Sequence, residues 1–332
     1  MRRHPLFRPP AVAAAAAAVV APLLAACGDG GASGAGDGPS IVVTTTILGD
    51  VVDDLVGDDA TVTVVMPVNA DPHEFQPSAR QAAEIREADL LVANGGGFEA
   101  GLEDTIHGAE DDRVEVFEAI DHVPTLDVAE TDEDHADEDA DEDDGEDGGD
   151  DHGHEGVDPH FFTDPARMAT AAQALADTLV EAVPELDTDA FRERAAATVA
   201  ELEALDAEVE QTLAVVPPER RKLVTNHDVF AYFADRYGFE VVGAVIPSVT
   251  TQASASAGEI DELAATVRAE GVPAVFADTS SPEDLADALA DEAGDVEVVA
   301  LYSESLGEAG ANADTYPGLM RTNATRIAEA LR

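Results

Sequence analysis

The chain has 332 residues, of which 71 are acidic and 17 are lysine or arginine, so its formal net charge is −54. Such a surface excludes ordinary nucleic-acid binding, which depends on a basic patch. It favours a saline habitat in which salt screens the self-repulsion, although an acidic secreted protein in ordinary salt is the simpler alternative.

The first 27 residues predict a lipoprotein signal peptide. A basic start leads into the apolar stretch 11–26, and Leu24-Ala25-Ala26-Cys27 stands at the expected cleavage point. Cys27, the only cysteine, is therefore predicted to carry a lipid that anchors the protein to the outer face of the cell membrane. Residues 28–39 are mostly small and predict a flexible tether. No later apolar run is long enough to span a bilayer.

From residue 40 onward, β-branched apolar segments alternate with helical patterns, as is typical of parallel α/β sheets. The first series forms a predicted N-terminal lobe, residues 40–187, with strands at 41–46, 61–65, 90–93 and 114–117 and helices at 47–56, 78–87 and 165–178. An acidic segment at about 129–156 interrupts this lobe. Because it has almost no apolar side chains, it is predicted to be disordered.

A long amphipathic helix is predicted at 188–216, because its apolar residues recur every three or four positions until Pro217 and Pro218 end it. With roughly 26 of these residues helical at 1.5 Å each, it would span nearly 40 Å, enough to join two lobes as a rigid connector. The predicted C-terminal lobe, residues 217–332, has strands at 222–225, 240–245, 274–277 and 297–300 and helices at 257–270, 282–292 and 316–331.

Three histidines stand in short polar contexts far apart in the chain: Asp71-Pro72-His73, Asp158-Pro159-His160 and Thr225-Asn226-His227-Asp228. Neutral imidazole is the commonest metal ligand in proteins, so three that converge from separate loops would make a transition-metal site. Asp71 and Asp158 are candidates to orient the neighbouring rings. Ligand sites in α/β sheets gather at the carboxyl ends of strands, which is where the sequence places His73, His227, Asp278 and Glu304.

These motifs resemble those of the zinc/manganese-binding lipoproteins of metal ABC importers, the cluster A-I solute-binding proteins. The similar segments are 71–78 (DPHEFQPS), 158–165 (DPHFFTDP), 225–233 (TNHDVFAYF) and 302–307 (YSESLG), with Phe162 where tryptophan is usual. The resemblance runs through nearly all of residues 40–332. It implies two βα lobes with parallel sheets, joined by one long rigid helix, with the metal site in the cleft between the lobes.

The same resemblance implies four metal ligands, His73, His160, His227 and Glu304, the last where the family usually has aspartate or no protein ligand. Asp278 stands where the family often has glutamate, and it is either a residue of the cleft or a helix cap. The implied ion is Zn²⁺, with Mn²⁺ as the alternative. The implied partners are a membrane permease and its cytoplasmic ATPase, and the protein itself is expected to be a monomer.

In this family a histidine-containing acidic insert is associated with zinc, which makes three histidines of the acidic segment, His135, His152 and His154, candidates for weak zinc collection. A solvated run with no specific role is the alternative.

Two other functions would use the same histidines. A zinc-dependent hydrolase needs three ligands and an open position, and Glu74 beside His73 could act as its base. However, Pro77 stands where a His-Glu-x-x-His helix requires its second histidine. The other alternative is a surface adhesion protein. The sequence therefore predicts a binding protein without enzymatic activity, whose lobes adjust only slightly when metal binds.

Overall fold

The N-terminal sheet is parallel, with strand order β2-β1-β3-β4. The computed structural model describes residues 38–128, 156–253, 255–280, 284–294 and 296–332. The sheet contains β1 (Ser40–Val43), β2 (Thr61–Val64), β3 (Leu90–Ala93) and β4 (Glu115–Glu118), with crossover helices α1 (Thr46–Val56), α2 (Ala79–Arg86) and α3 (Glu103–Asp111).

Side-chain caps set where two of these helices begin. The hydroxyl of Thr45 accepts a hydrogen bond from the backbone N–H of Leu48, so β1 ends at Val43 and not at residue 46 as predicted. Ser78 caps α2 through a reciprocal capping box with Gln81, at the predicted position. Because α2 begins there, residues 65–77 form the loop that carries His73.

The C-terminal sheet repeats the parallel pattern with strand order β6-β5-β7-β8. Its strands are β5 (Lys222–His227), β6 (Glu240–Ile246), β7 (Ala274–Asp278) and β8 (Glu297–Leu301). The helices of this half are α6 (Ala231–Tyr237), α7 (Ala257–Glu270), α8 (Asp284–Ala293) and α9 (Tyr316–Leu331). The numbers α4 and α5 belong to two connecting helices, which are described next.

Two long helices connect the sheets. α4 (Pro165–Ala182) is longer than its predicted span, and α5 (Asp189–Leu213) is a 25-residue helix capped by Thr188. The apolar stripe of α5 is buried in a core that also contains residues of both sheets, and the helix packs against α1, α4 and α9. This confirms the predicted α/β architecture of two parallel sheets and a long connecting helix. None of the helices in the described ranges is long and apolar enough to cross a membrane.

Candidate metal centre

Each predicted ligand stands where a strand or a turn brings it to the carboxyl edges of the sheets. His73 lies in the loop between β2 and α2, and His227 is the last residue of β5. His160 immediately precedes a 3₁₀ turn, Phe161–Thr163, which leads into α4. Glu304 follows β8 by three residues. The four side chains therefore come from four separate segments of the chain.

These segments converge on one buried point. Oε1 of Glu304 lies 2.8 Å from Nε2 of His73, 3.3 Å from Nε2 of His160 and 3.2 Å from Nε2 of His227. The four candidate ligand atoms lie within 4.8 Å of one another, and each residue is at most 2% exposed. Among the residues that the structure describes, this is the one group of histidine, cysteine and carboxylate side chains with the spacing of a metal site.

The spacing suits a small transition-metal ion. Zinc bonds of 2.0–2.1 Å at tetrahedral angles separate neighbouring ligand atoms by about 3.3 Å. Two contacts of the Glu304 oxygen, at 3.3 Å to His160 and 3.2 Å to His227, match this value, and the contact to His73 is shorter, at 2.8 Å. Its other oxygen, Oε2, is buried without a hydrogen-bond partner. Three imidazole nitrogens and a carboxylate form a donor set that zinc accepts readily and that manganese can also occupy.

The electrostatics of the four groups also favour a cation. Burial opposes charge on His160, but Asp158 and Glu304 outweigh it and raise the pKa of that imidazole to about 9. Burial also opposes charge on His227, and Glu304 nonetheless raises its pKa. Burial would raise the pKa of Glu304, but the three histidines hold it well below its usual range. A bound cation would replace the protons that these imidazoles otherwise share with the carboxylate.

The two predicted orienting aspartates act differently. Asp158 accepts two hydrogen bonds at Oδ1, from the ring Nδ1 of His160 at 2.7 Å and from its backbone N–H at 2.9 Å. With Nδ1 held in this way, Nε2 points at Glu304. Asp71 instead accepts the backbone N–H of His73, at 2.9 Å, and has no hydrogen bond to the ring, so it holds the loop.

Asp278 is buried at the end of β7 and lies outside the four-residue cluster. Its Oδ1 accepts the backbone N–H of Ser280 at 2.8 Å and its Oδ2 accepts the Ser280 hydroxyl at 2.7 Å. It thus holds a turn after β7, and its carboxylate is close enough to interact electrostatically with Glu304 and His227.

Aromatic rings form one wall of the site. Phe98 packs edge-on against His73, with ring centroids 5.2 Å apart, and against His160 at 5.5 Å. Phe162, which stands where tryptophan was expected, also contacts His160, at 5.8 Å. These apolar contacts exclude water from the imidazoles, which strengthens their interaction with a charge. Phe98 had no signal in the sequence beyond its place after the glycine turn 95–97.

The C-terminal half also holds the His73 loop through a second loop, residues 247–253. Thr251 donates its hydroxyl to Oδ2 of Asp71 at 2.6 Å, and Gln252 donates its side-chain amide to the backbone carbonyl of His73 at 2.8 Å. Neither residue has a signal in the sequence, because no local pattern marks a contact between positions about 180 residues apart.

The segment around Glu304 is in turn bonded to the N-terminal half. The backbone N–H of Leu306 donates to the hydroxyl of Thr46 at 3.0 Å, and that of Asn69 donates to the hydroxyl of Ser305 at 2.8 Å. Glu304 therefore follows a strand of the second sheet while its neighbours are held by the first lobe.

Several predicted residues are not part of this cluster. Cys27 and the histidines of the acidic segment, His135, His152 and His154, lie outside the described residues. His107 is exposed on α3, and the exposed ring of His122 stacks on Phe117 with centroids 4.4 Å apart.

Three imidazoles and a carboxylate, buried between two parallel α/β lobes that share one long helix, define a metal-binding protein of the solute-binding class. Over residues 41–330 the sequence matches the family described as zinc-uptake complex component A, periplasmic (ZnuA). The chain belongs to this family, which confirms the resemblance inferred from the motifs. Because it is a family of solute-binding proteins, membership supports the binding hypothesis over a hydrolase.

Individual relatives cover nearly the whole chain. The zinc-binding protein TroA of Treponema pallidum is 30% identical over 300 residues, which are 88% of this chain and 89% of TroA. The manganese-binding lipoprotein MntA of Halalkalibacterium halodurans is 27% identical over 292 residues, 88% of each chain. The manganese ABC transporter substrate-binding lipoprotein PsaA of Streptococcus pneumoniae is 27% identical over 291 residues, again 88% of each.

The fold agrees with these matches. The solved structure of the periplasmic zinc-binding protein TroA from Treponema pallidum superposes with a TM-score of 0.76 at 28% identity, covering 89% of this chain and 99% of that one.

Proposed function

We propose that this chain is an extracytoplasmic lipoprotein that captures Zn²⁺ between its two lobes and delivers it to an ABC-type importer. The observation that carries the proposal is the convergence of His73, His160, His227 and Glu304 on one buried point, with no more than 3.3 Å between the carboxylate oxygen and each imidazole. In this proposal the lobes are residues 40–187 and 217–332, and the connector is the helix within 188–216.

The four residues would act as the ligands of the ion. Each imidazole directs Nε2 inward, and Glu304 supplies a negative charge that balances part of the charge of a divalent cation. Glutamate is one methylene longer than the aspartate usual in the family. In this structure its Oε1 lies within 3.3 Å of all three imidazoles, and its Oε2 has no hydrogen-bond partner and would be free to coordinate the ion as well.

Zinc is the ion that the donor set favours. Sites rich in imidazole nitrogen suit zinc, whereas manganese prefers more oxygen ligands and a higher coordination number. The relatives named above bind either metal, according to their names. We therefore propose zinc as the cargo and manganese as the alternative outcome of the test.

The remaining features fit capture at the cell surface. A lipid on Cys27 and the tether 28–39 would hold the folded domain near a permease that a cytoplasmic ATPase powers, and a single chain would suffice for delivery. The acidic segment with His135, His152 and His154 would collect zinc weakly beside the cleft. Glu74, the base that a hydrolase would need, is exposed, which supports binding without turnover.

The hydrogen bonds that join the lobes around the site support a small adjustment on metal binding and not a wide closure. Residues of the C-terminal half, Thr251 and Gln252, hold the loop of His73, and Thr46 in the N-terminal half holds the segment after Glu304. Small-angle scattering of the metal-free and zinc-bound protein should therefore give nearly equal radii of gyration. A large difference would contradict this part of the proposal.

The decisive experiment is a competitive metal titration of the chain from residue 28 onward, in high salt, by calorimetry with elemental analysis. We expect one tight Zn²⁺ per chain, lost in His160→Ala and kept in His107→Ala, in which an exposed histidine of α3 is removed as the matched control. Tight Mn²⁺ with weaker Zn²⁺ would change the cargo to manganese. No stoichiometric tight site for either ion would refute the proposal.

A further inference from the structure

One buried hydroxyl, that of Tyr232, connects the C-terminal lobe to the segment that carries His160. Tyr232 lies in α6, five residues after His227, and is fully buried. Its hydroxyl donates to the backbone carbonyl of Asp158 at 2.6 Å and accepts the backbone N–H of Leu126 at 3.0 Å. These two partners also face each other, since the N–H of Asp158 donates to the carbonyl of Leu126 at 2.9 Å.

The position of Asp158 decides how His160 is aimed. Oδ1 of Asp158 accepts both the ring Nδ1 and the backbone N–H of His160, so a shift of the Asp158 backbone rotates the imidazole. The ring nitrogen opposite, Nε2, is the one that faces Glu304 at 3.3 Å. Groups that orient a ligand in this way change metal affinity although they never touch the ion.

We propose that Tyr232 is a positioning residue for metal binding: its hydroxyl fixes the backbone of Asp158 and thereby directs Nε2 of His160 at the ion. The inference rests on the proposed function, because it takes His160 to be a metal ligand. It also gives the stretch from the end of β5 into α6 two tasks. His227, the last residue of β5, binds the ion directly, and Tyr232, in α6, orients a ligand that belongs to the other lobe.

Replacing Tyr232 by phenylalanine isolates the hydroxyl. The ring is packed in the core and lies under the guanidinium of Arg167, 4.8 Å from its centroid, so a phenyl ring of the same shape keeps its place. What changes is that the carbonyl of Asp158 and the N–H of Leu126 lose their shared partner. The backbone of Asp158 then keeps its bond to the carbonyl of Leu126 but loses its fixed contact with α6, and His160 is oriented less firmly.

The test compares two tyrosines of the same helix in the chain from residue 28 onward. Tyr232→Phe should weaken zinc binding about tenfold, the lower end of the range for groups that orient a ligand, and should alter the visible spectrum of bound Co²⁺. Tyr237→Phe is the matched control. Its buried hydroxyl donates to Asp206 at 3.1 Å and not to Leu126, Asp158 or His160, so zinc affinity and the Co²⁺ spectrum should stay as in the wild type.

A double-mutant cycle with Asp158→Asn tests the route. If Tyr232 acts through Asp158, the double variant loses less affinity than the product of the two single losses. Additive losses, or a Tyr232→Phe protein that binds zinc and Co²⁺ as the wild type does, would overturn the inference while leaving the proposed function intact. A wild-type chain without a tight site would instead refute the proposed function.

Amide exchange in the wild-type protein gives a test that does not depend on whether any variant folds. The Leu126 N–H should be protected from exchange in both the metal-free and the zinc-bound protein, since its acceptor is a buried hydroxyl. Rapid exchange of that amide in the folded protein would show that the bond to Tyr232 is not formed. That result would refute the positioning role of Tyr232.

Discussion

Glu99 gives a prediction about pH and stability that can be worked out from its surroundings. Its carboxylate is 2% exposed and accepts hydrogen bonds from the hydroxyl of Thr44 at 2.6 Å, from the N–H of Asn94 at 2.6 Å and from the N–H of Gly95 at 3.2 Å. Burial raises the pKa of Glu99 from 4.5 to about 7, and the three donors offset that increase only in part.

The sign follows from the direction of the shift. The folded protein binds the proton of Glu99 more tightly than the unfolded chain does, so its contribution to stability is fully present below pH 4.5 and is lost as the pH rises through about 7. At about 1.4 kcal/mol per pH unit the whole interval is worth about 3 kcal/mol, most of which falls between pH 5 and 8.

The assay is denaturant unfolding of the wild type and of Glu99→Gln at pH 5 to 8, in constant high salt and with a chelator present. Glutamine cannot ionise, so the difference in the free energy of unfolding between the two proteins removes the contribution of every other titrating group. We expect the wild type to lose about 2–3 kcal/mol relative to the variant across this range. A difference that does not change with pH would refute the reasoning, because the three donors would then fully compensate for burial.

Three further predictions concern the loop, the site and the surface. In Gly101→Ala the new methyl group would overlap the carbonyl oxygen of Phe75, so unfolding experiments should show a loss of about 1–3 kcal/mol with weaker zinc binding; unchanged values would mean that the His73 loop moves freely. Because Asp158 and Glu304 raise the pKa of His160 to about 9, zinc affinity in competition titrations should fall at least tenfold per pH unit below that value, and a flat profile would contradict this assignment. Because the net charge is −54, the free energy of unfolding should rise with NaCl more than with a neutral solute of equal osmolality, and equal effects would remove the argument for a saline habitat.

Local signals made most of the fold predictable. Ser78 marks the start of α2 with a capping box, and α9 has the predicted bounds because Thr315 caps it and apolar residues recur along its length. α3 has no counterpart among the predicted elements. It is nine residues long and buries only Ile106 and Ala109, too few apolar positions to establish a period.

The site was predictable only as far as motifs mark it. The two Asp-Pro-His segments identified His73 and His160, and the placement of Glu304 came from similarity to a family. The partners that orient them could not be found in this way. Tyr232 and Asp158 are 74 residues apart, so their bond depends on how the lobes pack and not on any local pattern. The same applies to Gln252 and His73, at a separation of 179 residues.

The bonds from Thr46 and Asn69 to the segment after Glu304 bear on how cargo leaves the protein. They attach the carboxylate to the lobe that already carries His73 and His160, although Glu304 follows a strand of the other sheet. If a docked permease moves the lobes apart, the ligand set divides three to one, and His227 departs alone. If the proposed function holds, three ligands would still bind the ion, so separation of the lobes alone would leave it on one of them. Unloading would then also require the segment after Glu304 to loosen, at the hydrogen bond that Asn69 donates to Ser305.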